Sequence, residues 1–501
     1  MKSAEQAPGA MTWDYRLMDG WPALAWCARL EAGGATGRVL HGPGVEILAD
    51  GFCEAVWDGD FADGAFDRTD LVFGSGGRLA RDGAVFVSSG TTVDRLHWHE
   101  TNGTWTISNS LAALLVEIGG TVDAADRGWF RFFESIIHGL DAYERTLASS
   151  AGPVTLTYFQ NVSWDGTRLR LVSKPIPQRS LESFEDYAQF LESSLAALGE
   201  NLSDPRRKYS LRPLATVSTG YDSPASAAVG RSAGLEETLS IARGRGDVDD
   251  DGSKISARLG LTPIVGDRAE ALTHTELIPL FIASDAKGED LYFAGSGEHL
   301  AGRFLISGYS GSRVWDTTDV SYAGLRRGDQ SGLSHTEARL HLGYLHCPVP
   351  FLAGTQEAEI RRIGRSAEMK PWSVASDYDR PVCRRIVEEA GVPGEWFGQD
   401  KKAASVLLFD RRTPLPAGLQ ADFEQWLTHH GLINPVWKAR RLLTGIPRMI
   451  LRGLQRFDPD GRRPVIGRLS REGRLQRYAF QEPMFDYLFP WALDRAMQKY
   501  R

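Results

Sequence analysis

The feature that most constrains the fold of this chain is a rhythm in its middle third. Three short apolar runs, Leu214–Ser218, Leu239–Ala242 and Thr262–Val265, begin about 24 residues apart, the spacing of strand–helix–strand crossovers. They predict neighbouring parallel strands of a buried sheet, with helices on its faces. The intervening segments carry helix punctuation. Pro224–Ala233 has Ser223 as a candidate N-cap, Pro224 at the first helical position and Gly234 as a C-cap. Lys254–Leu259 stops at Gly260. Upstream, Ser183 and Asp186 form a variant capping box, and Phe184, Tyr187, Leu191, Leu195 and Leu198 recur at helical spacing. Gly199 is the expected end of that helix.

The first third has a different pattern. Residues 36–125 read as short strands, among them Gly37–Leu40, Val45–Leu48, Ala84–Ser88 and Trp105–Ile107, broken by turn pairs such as Asp82–Gly83 and Asn102–Gly103. Helices are expected near Ser110–Glu117 and Asp126–Ile137, and further strands at Val154–Phe159 and Leu169–Val172. The stiff Lys174–Gln178 stretch predicts a linker, giving domains at 1–178 and 179–501. Beyond residue 330 the chain reads mainly as helices and long loops.

Composition narrows the function classes. With 501 residues, 42% hydrophobic and 24% charged, the chain has the balance of a soluble globular protein large enough to bury its core without staples. A net charge of -7 argues against a dedicated nucleic-acid binder. It is uneven: residues 436–477 hold twelve Lys/Arg and three acids, a local +9 against -16 elsewhere. That stretch reads as basic helices covering an acidic body, with an anionic-ligand or membrane-surface patch as the alternative. The four cysteines, Cys27, Cys53, Cys347 and Cys383, form no CxxC pair, so the chain reads as cytoplasmic and free of disulfides. There is no apolar run long enough for a transmembrane helix, and the N-terminus lacks a signal-peptide core. His97 and His99 lie two apart on an expected strand and could share a metal, but no further ligands accompany them.

The segment richest in chemistry is Val217-Ser-Thr-Gly-Tyr-Asp-Ser-Pro224, between a buried strand and a helix N-terminus. Ligands bind at that position in parallel α/β sheets. Gly220 permits a tight turn, free N–H groups and the helix dipole attract an anion, and Ser218, Thr219 and Ser223 add hydroxyl donors. Asp222 is an acid among anion-binding groups, which calls for an accompanying cation. Nucleotide phosphates with Mg²⁺ fit that combination. The alternative is an ordinary capped helix.

Ser218-Thr-Gly-Tyr-Asp-Ser223 resembles the SGGxDS pyrophosphate loop of the asparagine-synthetase-like ATP pyrophosphatases, with Thr219 in place of the first glycine. That family includes the asparagine synthetases, the β-lactam synthetases and the lasso-peptide cyclases. Ser240–Gly244, with Ala242 and Arg243, falls where the family contacts adenine and ribose. Ile306-Ser-Gly-Tyr-Ser-Gly-Ser-Arg-Val-Trp315 is similar to its second Gly-rich loop, with Gly308 in the turn. Ser312 stands there in place of an acid that shares Mg²⁺ with Asp222, leaving Asp316, Asp285 or Glu289 as compensating carboxylates. Tyr309 falls at the catalytic tyrosine of β-lactam synthetases, and Glu337 is the nearest candidate for its glutamate partner. Otherwise Tyr309 is a packing residue and Glu337 caps a helix. Phe397-Gly-Gln-Asp-Lys-Lys-Ala-Ala-Ser405 is similar to the segment carrying the family's active-site lysine, filled by Lys401 or Lys402, with Lys401 preferred over its neighbour. The alternative is a lysine pair on a solvated face.

The resemblance spans residues 180–420 and implies an α/β fold: an N-terminal α+β sandwich, then a parallel-sheet synthetase domain of the adenine nucleotide α-hydrolase type with a helical C-terminus. Glutamine-dependent members carry an N-terminal cysteine nucleophile. Lys2 stands there in this chain and the first cysteine is Cys27, so the N-terminal half resembles a glutaminase domain without its nucleophile. The implied activity is an ATP-dependent, AMP-forming ligase. It joins a small-molecule or peptide carboxylate to an amine, within one molecule or between two. Val217, Ser218, Thr219, Gly220, Ser223, Ala242, Arg243 and Gly308 would hold ATP, with Mg²⁺ on Asp222. Two alternatives stand: a non-catalytic scaffold, and a subunit fed ammonia by a separate glutaminase. A homodimer or accessory biosynthetic proteins are the partners left open.

Overall fold

The computed structural model describes residues 11–244, 247–318, 323–374, 376, 378–400, 402, 404, 415–433 and 485–501. The N-terminal part is built on two antiparallel-rich sheets, of seven and six strands. The strand Thr36–His41 turns Gly37, Val39 and His41 inward while Thr36 and Arg38 face out, the period-two pattern of a half-buried strand. Trp26 of the seven-stranded sheet packs against Phe52 and Phe86 of the six-stranded one, with ring centroids 5.1 and 6.1 Å apart. Val39, Leu96, Ile107 and Val162 complete this shared core. Two strands precede the region where the sequence pattern places the first: Thr12–Leu17, which pairs parallel with Thr36–His41, and Trp26–Glu31. Cys27 lies on the second of these and is buried.

The C-terminal part carries a five-stranded, all-parallel sheet. In chain order its strands are Arg212–Thr216, Glu237–Ile241, Thr262–Gly266, Arg303–Ser307 and Leu345–Pro348, and their spatial order is third, second, first, fourth, fifth. Leu214, Ala215, Phe304, Leu305 and Ile306 are fully buried, as strands covered on both faces require. The direction of winding reverses between the first and fourth strands, which opens a crevice at their C-terminal ends.

Three details differ from the sequence-based expectations. The long helix Phe184–Leu202 has the expected capping box at Ser183 and Asp186 but continues through Gly199. There the backbone of Ala233 comes so close that a Cβ on Gly199 would lie 2.9 Å from its Cα, so the glycine serves close packing rather than termination. The helix after the first strand starts at Asp222 with Tyr221 at its N-cap, not at Ser223. The edge strand Leu345–Pro348 lies in the region expected to hold helices and loops. It is short and ends in proline, which only an edge strand or strand end tolerates, so its sequence lacks a strand signature.

Buried polar contacts bind the two parts together. Arg339, on the helix Thr336–Leu342, donates to Glu54 at 2.8 Å and to Asp94 at 2.7 Å. The expected linker is pinned to the N-terminal part: buried Lys174 donates to the Ser88 carbonyl and to Asn161, each at 2.8 Å. No described helix is long and apolar enough to cross a membrane.

Candidate functional site

The loop after the first strand and the loop after the fourth flank the crevice. In the first loop, Val217 still donates to the Leu239 carbonyl as a continuation of the strand. The chain then folds over its own hydroxyls. The Ser218 N–H donates to Ser223 Oγ at 3.0 Å, the two serine hydroxyls lie 3.0 Å apart, and the Gly220 N–H donates to Ser218 Oγ at 3.2 Å. Ser223 thus closes the loop from the first helical turn.

Thr219 is the hub of the outer side. Its N–H and hydroxyl both donate to Asp250 Oδ1, at 3.0 and 2.7 Å. Lys402 Nζ donates to Thr219 Oγ1 at 2.9 Å and to the Asp249 carbonyl at 2.8 Å. The Phe397–Gln399 segment delivers this lysine: the Gly398 N–H donates to the Thr219 carbonyl at 2.8 Å. Gly398 crosses the face of Tyr221 so closely that a Cβ would sit 2.3 Å from the ring. Burial raises the pKa of Asp250, against the pull of the Thr219 bonds and Lys402. Lys401, the preferred lysine in the sequence, lies outside the described residues; Lys402 reaches the loop. Ala242 contributes its carbonyl to the Asp250 N–H at 3.0 Å, whereas the Arg243 side chain is 54% exposed and lies 3.9 Å from Asp247.

Asp222 opens the helix at the crevice floor. Gly308 and Gly311 of the second loop press on it: a Cβ at Gly308 would fall 2.4 Å from its carbonyl carbon, and one at Gly311 2.5 Å from its Cγ. Its Oδ2 is in direct contact with the guanidinium of Arg380, which is only 5% exposed and lies over the Tyr378 ring. Cys383 Sγ lies 3.8 Å from Oδ1.

This arrangement does not fit Mg²⁺ on Asp222. The ion demands an octahedral set of oxygens in direct contact, and a guanidinium already occupies the carboxylate. The three carboxylates expected to replace the missing second acid are engaged elsewhere. Asp316 accepts from the Thr318 N–H at 2.8 Å, buried Asp285 from the N–H groups of Lys287 and Gly288 at 2.8 and 2.7 Å, and Glu289 pairs with Lys287 at 2.6 Å. Among the described residues no group of three His, Cys, Asp or Glu side chains forms a metal cluster. His97 accepts from Arg95 at 3.1 Å while His99 bonds the Pro153 carbonyl at 2.9 Å, so they do not act as a pair.

Tyr309 has a partner other than Glu337. Its hydroxyl donates to Asp290 Oδ1 at 3.0 Å and lies 2.5 Å from the Tyr292 hydroxyl. Asp290 Oδ2 accepts from the Gly332 N–H at 2.8 Å and from Ser334 Oγ at 2.7 Å. The rings of His346 and His335 flank Tyr309 at 5.2 and 6.0 Å. Burial, then the Asp290 charge, raises the Tyr309 pKa well above the usual phenol range, and burial raises that of Asp290. Burial holds both histidines low, His335 at about 3. Glu337 instead accepts from Ser110 Oγ at 2.8 and 2.9 Å and from the Tyr500 hydroxyl at 3.1 Å. It joins Ser110 of the N-terminal part to Tyr500, in the turn after the helix Leu488–Met497. Neither Asp290 nor Arg380 stood out in the sequence; the only signal for Arg380 was its place just before Pro381, which opens a helix.

Scanned against protein-family models the chain matches none, and no curated protein matches it.

Proposed function

We propose that this protein is an ATP-dependent, AMP-forming carbon–nitrogen ligase that activates a substrate carboxylate and joins it to an amine. The observation that carries the reading is the meeting of three separate sequence segments at one crevice. Residues 218–223, residues 307–311 and Lys402 converge at the reversal point of a parallel sheet, where such folds bind ligands.

ATP, when bound, supplies the phosphorus that activates the carboxylate. The linked Ser218 and Ser223 hydroxyls would meet its phosphates, Gly220 leaves the turn free of a side chain, and the dipole of the helix Asp222–Gly230 adds to the attraction. Lys402 would offset the negative charge that develops as the pyrophosphate leaves. Tyr309 would act as a relay rather than as a phenolate, because its raised pKa keeps it protonated. It takes a proton from the attacking amine as it gives its own to Asp290 across their 3.0 Å bond. A panel of carboxylates and amines, assayed for pyrophosphate release from ATP, tests the proposal. Neither release nor ATP binding in any combination would refute it.

A second reading, a non-catalytic scaffold, draws on the same loop. Thr219 spends its N–H on Asp250, and Asp222 is held by Arg380. Calorimetry with ATP separates the two, because a scaffold binds no nucleotide at this crevice.

A further inference from the structure

The Asp222–Arg380 contact lies where the resemblance would put a metal ion. An acid at the mouth of an anion site repels phosphate unless a cation covers it. Arg380 is a permanent cation: the neighbouring Asp222 and Tyr378 hold its pKa above the ordinary arginine range. Among the described residues Asp222 is its only ion-pair partner. A guanidinium carries five N–H donors in a planar fork and one carboxylate can take at most two, so donors remain for a second anion. The close approach of Gly308 and Gly311 fixes Asp222 from the other side, and the Tyr378 ring lies 5.1 Å from the guanidinium carbon. Ser312, standing where a second acid is usual, removes the other half of a magnesium site.

We propose that Arg380 takes the place of the divalent metal at Asp222, so that this crevice binds the polyphosphate of a nucleotide without a metal bridge between protein and phosphate. The inference rests on the nucleotide reading given above. Asp222 is then a positioning residue that holds a guanidinium, and Arg380 is the group that touches phosphate.

The test is calorimetry of the full chain with inorganic pyrophosphate and with ATP, in EDTA and in Mg²⁺. Binding in EDTA should be at least as tight as in Mg²⁺. Arg380→Met should weaken it by about tenfold or more, the scale of a lost charge-assisted contact. Asp222→Asn decides between the roles. A metal ligand lost abolishes binding, whereas an anion site relieved of a carboxylate binds pyrophosphate as tightly as before or more tightly. A thermal melt of each variant checks folding, and Asp222→Asn keeps the test decisive even if Arg380→Met does not fold. Binding that requires Mg²⁺, or its loss in Asp222→Asn, overturns this inference and leaves the nucleotide reading standing. Absence of binding in both buffers overturns both.

Discussion

Replacing Arg339 by methionine removes the only cation from the Glu54–Arg339–Asp94 cluster that ties the two parts of the chain together. All three side chains are buried, at 2%, 1% and 4% exposure for Glu54, Arg339 and Asp94. Methionine fills most of the volume, so the loss is electrostatic. Glu54 keeps Ser75 at 2.6 Å and Asn109 at 3.2 Å, but Asp94 Oδ2 has no partner even in the intact cluster. Breaking a buried ion pair from one side typically costs about 3–5 kcal/mol, because a desolvated charge is left behind. The pH dependence has a definite sign. Burial already holds the Glu54 pKa above its ordinary value, with Arg339 pulling it back down. Without Arg339 it rises further, so the folded variant binds protons that the unfolded chain releases. A carboxyl with a raised folded pKa loses stability as pH rises through that pKa and recovers it as pH falls. Urea denaturation of both proteins at about pH 8 and about pH 5.5 measures this, with the deficit largest at the higher pH. A deficit under about 1 kcal/mol, or one that grows toward acid, would refute the reasoning.

Thr219→Val removes the hydroxyl that links Lys402 to Asp250 and should weaken pyrophosphate binding by about tenfold in calorimetry, whereas Thr219→Ser should restore it. If the chain is a ligase, Tyr309→Phe and Asp290→Asn should each lower kcat by about a hundredfold with KM little changed, and Glu337→Gln should act on the melting temperature instead. Lys174 is buried, and burial pulls its pKa down from 10.5 to about 7. Keeping it neutral in the fold, while the unfolded chain takes up the proton, is therefore a penalty that grows as pH falls from 10.5 to about 7, and Lys174→Met should flatten the rise in stability across that window, measured by urea denaturation.

The parts of the fold that were legible in the sequence are those specified by neighbours along the chain. The capping box of Ser183 and Asp186, the apolar runs from Leu214 and Leu239, and the Ser218–Ser223 loop each depend on residues a few positions apart. The parts that were hidden depend on partners brought together by topology. Asp222 meets Arg380 because the helix opening at Pro381 packs on the helix that Asp222 opens, and Tyr309 meets Asp290 across the fourth strand that separates them in the chain. Glu337 illustrates the opposite error. Its spacing from Tyr309 matches a known pairing, but its helix turns it toward Ser110 and Tyr500, and spacing along the chain carries no information about that turn.

The pair of buried Arg380 and half-buried Asp222 also bears on the choice between ligase and scaffold. Desolvating the buried Arg380 guanidinium offsets much of its attraction to the half-buried Asp222, so the pair adds little to stability that an apolar pair of equal volume would not. Asp222 does not need Arg380 to start its helix either, since an acid in the first turn is already favoured by the helix dipole. The pair is thus poorly explained by folding alone, and the same holds for Lys402, whose chain entropy is spent to place one ammonium on Thr219. Two cations held against one loop, at the reversal point of a parallel sheet, suit a ligand with several negative charges. A scaffold that had given up its nucleotide would leave both without a task, which is why binding of ATP or pyrophosphate, with or without metal, is the measurement that divides the two readings.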